Sequence, residues 1–169
     1  YDQEKAKQLL DDAGWAVGSD GIREKDGKKL ALRYVSFGDS QLVKSTAAAM
    51  QKMLKDLGVD LSIVEKPSSE FSRVFADRDF DVVTMSITSS EPFGVTYFKY
   101  TYGSDSQLNK SGTGTPEFDA KIAEMEQIPD REEQTRKANE LEREAFGQYG
   151  IMPYANGPQL VASKKTLAN

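Results

Sequence analysis

Hydrophobic positions along the first half of the chain switch repeatedly between two spacings. Short apolar, β-branched runs at 30–37, 59–66 and 80–87 alternate with segments of helical spacing at 40–58 and 68–79. Because Ser40 suits a helix N-cap and Gly58 a helix stop, the longer helical segment has clear ends. Strands that alternate with helices form right-handed βαβ units, so we predict an α/β fold with a three-layer, open sheet and a parallel βαβ core.

Apolar residues at helical spacing also occur on both sides of this βαβ pattern, near the start of the chain and in its last third. An amphipathic helix is predicted over 2–15, and Asp26-Gly27 after it is a hairpin signal. Thr115 followed by Pro116 predicts the start of another helix, and 130–148 predicts a further one. A polar and aromatic loop is predicted over 97–114, and short strands over 150–155 and 159–164.

Composition limits the classes of function. The chain has 169 residues, 38% of them hydrophobic, which suits one globular domain over residues 1–169. A net charge of −5 without a Lys/Arg cluster argues against nucleic acid as a partner, and no apolar run reaches the length of a membrane span. The absence of Cys and His removes thiolate nucleophiles, the Ser-His-Asp triad and the usual zinc motifs. We therefore predict no metal, no cofactor and no enzyme.

Hydroxyl groups follow the third predicted strand. Ser86, Thr88, Ser89, Ser90 and Glu91 come where the apolar run 80–87 ends. Ligands of open parallel sheets bind at the carboxyl ends of the strands, and hydroxyls form hydrogen bonds without carrying charge. This segment is therefore either a site for a polar solute or a polar turn that caps the sheet.

Aromatic residues are dense just beyond this segment. They are expected to pack as a local core, with one or two of them lining a pocket. The residues concerned are Phe93, Tyr97, Phe98, Tyr100 and Tyr102.

Several ordered stretches resemble one family. They are AKQLLDDAGW at 6–15, N-x-SG-x-G-x-PEFDA at 109–120 and PxLVASKKTLAN at 158–169. Together they resemble the C-terminal lobe of the peptide/nickel class (family 5) of ABC-transporter solute-binding proteins. The amino-acid sequence is most similar to the actinobacterial branch of this family. The resemblance covers essentially the whole chain.

This resemblance implies an extracytoplasmic function. Members are periplasmic receptors or cell-surface lipoproteins with two lobes, which close on a peptide or other small solute and deliver it to an ABC permease. The chain would be one periplasmic-binding-protein type II lobe, a fragment whose N-terminal partner lobe and lipid anchor lie elsewhere in the parent receptor. Peptide receptors carry a Trp and an Asp after the third strand, where this chain has Ile87 and serines.

The resemblance also implies which residues contact the solute. They lie in the segment after the third strand and in a later loop that faces the cleft in related proteins. The predicted set is Ser86, Thr88, Ser89, Ser90, Glu91, Phe93, Asn109, Lys110 and Ser111.

The sequence is compatible with three functions. The leading interpretation is a solute-binding lobe without catalysis. The alternative is a carboxylate-dependent hydrolase on a doubly wound α/β fold, for which Glu91 is the one acidic group at the predicted strand end. A third is an interaction module that docks on a permease through the exposed face of 130–148, and this role is compatible with the first.

Overall fold

The computed structural model of the protein describes residues 2–88 and 94–155. The chain divides into two compact units, Tyr1–Ile87 and Thr88–Asn169, and each is described by itself. The organisation of both as a single lobe stays a prediction. None of the helices within the described ranges is long and apolar enough to cross a membrane.

The first unit contains both sheets. Its elements are α1 (Gln3–Asp12), β1 (Ala16–Val17), β2 (Arg23–Lys25), β3 (Lys28–Lys29), β4 (Ala31–Phe37), α2 (Gln41–Lys55), β5 (Asp60–Lys66), a 3-10 turn (Ser68–Glu70), α3 (Phe71–Asp77) and β6 (Val82–Val83). Strands β1, β2 and β3 form an antiparallel meander, and the other sheet has the order β5-β4-β6 with all pairs parallel. The predicted α/β class with a parallel βαβ core is confirmed.

Local sequence signals explain the connections. The β2–β3 turn places Asp26 at φ 51° and Gly27 at φ 72°, the left-handed conformations that a tight hairpin requires, so the predicted hairpin is confirmed. Helix α2 packs on the parallel sheet because Ala47 fits closely against the buried side chains of Tyr34 and Leu61. This contact forms the core of the first unit.

The third parallel strand is much shorter than predicted. Only Val82 and Val83 pair with β4, whereas the sequence predicted a strand over 80–87. Met85 is 41% exposed and Ile87 50%, so their apolar character does not reflect burial. The backbone leaves the sheet after Val83, and the prediction of a longer strand was wrong.

The second unit is helical over the residues described. It contains a 3-10 turn (Val95–Tyr97), α4 (Phe98–Tyr102), α5 (Pro116–Glu126) and α6 (Arg131–Phe146). Phe98 and Tyr102 are buried against α5 and α6, which confirms the local aromatic core. The start of the predicted loop 97–114 is helical instead, because these two side chains, four residues apart, lie on one face. Residues 151–155 form no strand, so that prediction was wrong, and 159–164 lie outside the described residues.

The caps of α5 and α2 allow a direct comparison. Thr115 accepts a hydrogen bond from the Phe118 N–H at 3.2 Å, whereas Ser40 makes no such bond with α2. We expect Thr115→Ala to lower the free energy of unfolding by about 1 kcal/mol, since a satisfied N-cap contributes that much. Ser40→Ala is the matched control and should change it by less than about 0.5 kcal/mol. Urea denaturation followed by circular dichroism measures both, and equal losses would refute the assignment.

Candidate functional site

The three parallel strands end at one edge of the sheet. The loops after β4 and β5 lie against each other there, because the Gly38 N–H donates to the Lys66 carbonyl at 3.2 Å. Gly38 has φ 71°, and a Cβ at this position would lie 3.2 Å from Ser68 Oγ, so both backbone and space favour glycine. In open α/β sheets ligands bind outside this edge.

The chain leaves β6 at this same edge. The Tyr34 and Thr84 hydroxyls share a hydrogen bond, and Tyr34 is fully buried, so Thr84 is anchored to the core. Ser86 is exposed, and Thr88, the first residue of the second unit, is exposed too. Among the described residues, neither hydroxyl has a hydrogen-bond partner. Their hydrogen-bonding capacity is available to a solute.

The remaining members of the predicted site fall into two groups. Ser89, Ser90, Glu91 and Phe93 lie outside the described residues. Asn109, Lys110 and Ser111 lie in the loop between α4 and α5. The ligand contacts predicted for both groups stay predictions.

Asn109 holds its own loop together. Asn109 is only 5% exposed. Its Nδ2 donates to the Gly103 carbonyl at 3.1 Å and to the Thr113 carbonyl at 2.9 Å. Its Oδ1 accepts from the Ser111 N–H at 3.2 Å and from the Ser111 Oγ at 2.6 Å. The amide is thus fully engaged, and Asn109 fixes the path of the loop that carries Lys110.

Sequence reasoning did not locate a cavity of about 900 Å³ in the second unit. It lies between the start of α4, the turn at 105–108 and the corner that joins α5 to α6. Tyr100 lines it, which confirms that one of the dense aromatics faces a pocket. The α5–α6 corner is far away in sequence, so only the dense aromatics signalled this cavity.

Charged groups near the parallel sheet have structural partners. Asp79 lies between α3 and β6, 2.8 Å from an Arg33 guanidinium nitrogen and 3.6 Å from Lys66 Nζ. The hydrogen bond from Arg33 holds the pKa of the Asp79 carboxyl below its usual value, with a smaller contribution from Lys66. No cluster of three metal-ligating side chains occurs in 2–88 or 94–155.

In this chain the ends of the parallel strands lead into exposed hydroxyls, at the edge where ligands of open α/β sheets bind. Residues 1–109 match the family described as bacterial extracellular solute-binding proteins, family 5 Middle. The chain belongs to this family, as the resemblance in its sequence predicted.

Two curated relatives illustrate the match. The chain is 30% identical over 170 residues to the oligopeptide-binding protein OppA of Mycobacterium tuberculosis (strain ATCC 25618 / H37Rv), which covers 100% of this chain and 28% of OppA. It is 41% identical over 76 residues to the nickel-binding periplasmic protein of Escherichia coli (strain K12), covering 43% of this chain and 14% of that protein. The chain therefore spans 28% of the length of the mycobacterial relative.

A solved structure agrees with the fold. The oligopeptide-binding protein AppA from Bacillus subtilis, in complex with a nonapeptide, superposes with a TM-score of 0.74 at 25% identity. The match covers 88% of this chain and 30% of AppA. The predicted periplasmic-binding-protein fold of the chain is confirmed by this likeness.

Proposed function

We propose that the chain is one lobe of an extracytoplasmic receptor that captures a peptide or another small polar solute for an ABC-type importer. The exposed strand-end segment 85–88, in a chain of the family 5 solute-binding proteins, carries the proposal. Ser86 and Thr88 offer hydroxyls to the solute, and the N-terminal lobe of the parent receptor supplies the opposite wall of the cleft. The names of the relatives, oligopeptide-binding and nickel-binding, support a peptide or another small solute as the ligand.

Binding without catalysis is part of the proposal. The chain has no histidine and no cysteine, so it lacks the usual general bases and nucleophiles for neutral pH. The relatives named above are binding proteins and give the hydrolase alternative no support.

Hinge closure is the proposed mechanism. A solute held between two lobes stabilises the closed state by its higher affinity for that state. One lobe offers only part of the contact surface, so the isolated chain should bind the solute weakly. The closed receptor then docks on a membrane permease, and a lipid anchor holds the receptor at the membrane.

Removal of the two hydroxyls tests the site. The solute is first identified by mass spectrometry of the material that co-purifies with the intact two-lobed receptor. In that receptor the double variant Ser86→Ala/Thr88→Ala is expected to bind the solute about tenfold more weakly, since each lost hydrogen bond costs about 0.5–1.5 kcal/mol. Isothermal titration calorimetry gives the dissociation constants.

Two further measurements make the test decisive. The control Ser45→Ala/Ser72→Ala removes two exposed serine hydroxyls on α2 and α3 and should leave the affinity unchanged. Equal affinity of the hydroxyl variant and the unaltered receptor would overturn the assigned site. Tight one-to-one binding of the solute by the isolated chain would contradict the two-lobed mechanism.

A further inference from the structure

Strand β5 forms one outer edge of the parallel sheet. Among the described residues it pairs with β4 alone, along its whole length from Asp60 to Lys66. The register with β4 runs without a bulge, and the strand contains neither proline nor glycine. Edge strands are commonly protected by a bulge, a proline or a short length. None of these three features protects β5, so its outer side is open to a further strand.

The backbone groups of β5 point alternately toward β4 and toward the open edge. The Asp60 N–H donates to the Leu30 carbonyl at 2.9 Å, and the Lys66 carbonyl accepts from the Gly38 N–H at 3.2 Å. Both ends of β5 therefore direct their backbone groups toward β4, as do the residues at 62 and 64 between them. The residues that direct their N–H and carbonyl groups to the open edge are Leu61, Ile63 and Glu65.

Most of these edge groups lack hydrogen-bond partners. Gln51 Nε2, on α2, donates to the Leu61 carbonyl at 2.7 Å. This oxygen can accept a second bond, because a carbonyl has two lone pairs. The backbone groups of Ile63 and Glu65 have no partner within the part of the chain that the structure describes. A partner strand would satisfy them.

The sequence of β5 is complementary to itself in one antiparallel register. When two copies are related by a two-fold axis at Ile63, Asp60 of each copy lies opposite Lys66 of the other. The outward-pointing residues then form the hydrogen-bonded pairs, and the oppositely charged residues form the closer, non-hydrogen-bonded pairs. Opposite charges that face each other across two strands are favourable. The other facing pairs are Leu61 with Glu65 and Ser62 with Val64.

Neighbouring registers are less favourable. An axis between two residues would oppose an outward-pointing residue to an inward-pointing one, so the ladder could not form. An axis at Val64 would bring Pro67, which has no N–H, opposite Leu61. An axis at Ser62 would carry Lys66 past the start of the partner strand. The register at Ile63 is the one that uses all of β5.

The other edge of this sheet limits the assembly to two copies. Strand β6 consists of Val82 and Val83 alone, so it offers too little backbone for a partner strand. Pairing of β5 with β5 uses the same surface on both copies and closes after one contact. A dimer is therefore favoured over a continuous fibre.

We propose that the open edge of β5 is a homodimer surface, at which two copies of the chain pair through antiparallel β5 strands. The two three-stranded sheets then join into one sheet of six strands. Backbone hydrogen bonds supply the attraction, and the two Asp60–Lys66 contacts select the register. This surface lies wholly in the first unit and depends neither on the strand-end segment nor on the proposed function.

Analytical ultracentrifugation of the 169-residue chain tests for the dimer. We expect a dissociation constant between about 1 µM and about 1 mM, because a single strand pair is a small interface. Asp60→Lys places like charges opposite each other at two symmetric positions and should weaken the dimer by at least about tenfold. The control Asp12→Lys makes the same charge change at an exposed residue of α1 and should leave the dissociation constant unchanged.

A proline at position 65 tests the backbone contact. Glu65→Pro removes an N–H that points to the open edge and no bond to β4, so the strand can accept it. It should weaken the dimer by at least about tenfold, because the donor is lost twice by symmetry. Glu65→Ala is the matched control, since it also removes the ion pair with Lys44 but keeps the N–H, and its effect should be below about threefold. Circular dichroism verifies that each variant is folded.

Disulfide cross-linking measures the register, because the chain has no cysteine of its own. Position 62 of one copy and position 64 of the other are predicted to have Cα atoms about 4.5 Å apart, which a disulfide can span. A mixture of Ser62→Cys and Val64→Cys chains should therefore give a mixed disulfide dimer on mild oxidation. In each variant alone the two cysteines are diagonal neighbours about 7–8 Å apart, so cross-linking should be much weaker.

Three outcomes would overturn this surface. A chain that stays monomeric up to about 1 mM would leave the edge to solvent or to another part of the receptor. A dimer that Asp60→Lys and Glu65→Pro do not weaken would form through another surface. Equal cross-linking in the mixed and the separate samples would contradict the register. Each of these failures leaves the strand-end proposal intact, because that proposal is tested by solute affinity with other variants.

Discussion

Replacement of Arg23 by alanine is expected to lower the free energy of unfolding by about 3 kcal/mol. The side chain of Arg23 is only 4% exposed and joins three parts of the first unit. Its Nε donates to the Leu57 carbonyl at 2.8 Å, and its NH1 donates to the Trp15 carbonyl and to Asp11 Oδ1, both at 2.5 Å. Loss of these bonds removes the side-chain link between α1, the Trp15 carbonyl and the turn between α2 and β5, whereas the backbone bond from the Arg23 N–H to the Gly58 carbonyl remains.

The size of the effect comes mainly from the two carbonyls. A buried acceptor left without a donor costs about 1–3 kcal/mol. The ion pair adds little, because Asp11 is 60% exposed and its charge is solvated once Arg23 is removed. Gly58 next to this site has φ 81°, and an added Cβ would lie 3.0 Å from Arg23 Cγ and from the Gly21 carbonyl oxygen, so this position favours glycine.

Arg33→Ala is the matched control. Arg33 is 47% exposed, and it pairs with Asp79 at 2.8 Å and with Asp81 at 3.7 Å. Exposed ion pairs contribute about 0–1 kcal/mol, so this variant should be destabilised by less than about 1 kcal/mol. Urea denaturation measures both variants. A loss at Arg23 no larger than the loss at Arg33 would show that the buried hydrogen bonds are not important for stability.

Asn109→Asp is expected to destabilise the chain by about 3 kcal/mol near neutral pH. The substitution replaces the Nδ2 donor by an oxygen that faces the Gly103 and Thr113 carbonyls. Burial and these carbonyls favour the protonated acid, so its pKa in the folded state should rise above the unfolded value. The folded state then binds more protons, and the stability of the variant should increase as pH falls from about 7 to about 5.

An exposed asparagine serves as the control, because it shows how much of the stability change comes from the Asn-to-Asp substitution itself and how much from the buried position. Asn139 is exposed on α6, and Asn139→Asp should change stability by less than about 0.5 kcal/mol at either pH. Thermal unfolding at the two pH values measures both variants. A pH-independent loss for Asn109→Asp would argue against the buried contacts with carbonyl groups. No loss at all would show that the bonds from Asn109 Nδ2 do not stabilise the loop.

Local signals predicted much of the fold because their partners are close in sequence. The Thr115 cap bonds to a residue three positions away, and the Asp26-Gly27 turn depends on two backbone conformations. The parallel βαβ order follows from alternation alone. These features need no knowledge of distant contacts.

The errors and omissions concern contacts between distant segments. Because Met85 and Ile87 are apolar, the sequence predicted that they are buried in a strand. Their burial would require β4 to continue pairing beyond Val83, and it does not. The cavity was missed because it brings the turn 105–108 against the α5–α6 corner. The family resemblance implied a site role for Asn109, but nothing in the sequence indicated its bonds to two carbonyls.

The hydrogen bond between Tyr34 and Thr84 marks the point where the chain leaves the core of the first unit. Thr84 is bonded to the fully buried side chain of Tyr34, whereas the residues from 85 to 88 have no part in the core of the first unit. Residues in this stretch can therefore be exchanged without refolding the sheet. Grafting the equivalent stretch from a receptor with another preference would accordingly test whether this segment takes part in solute recognition.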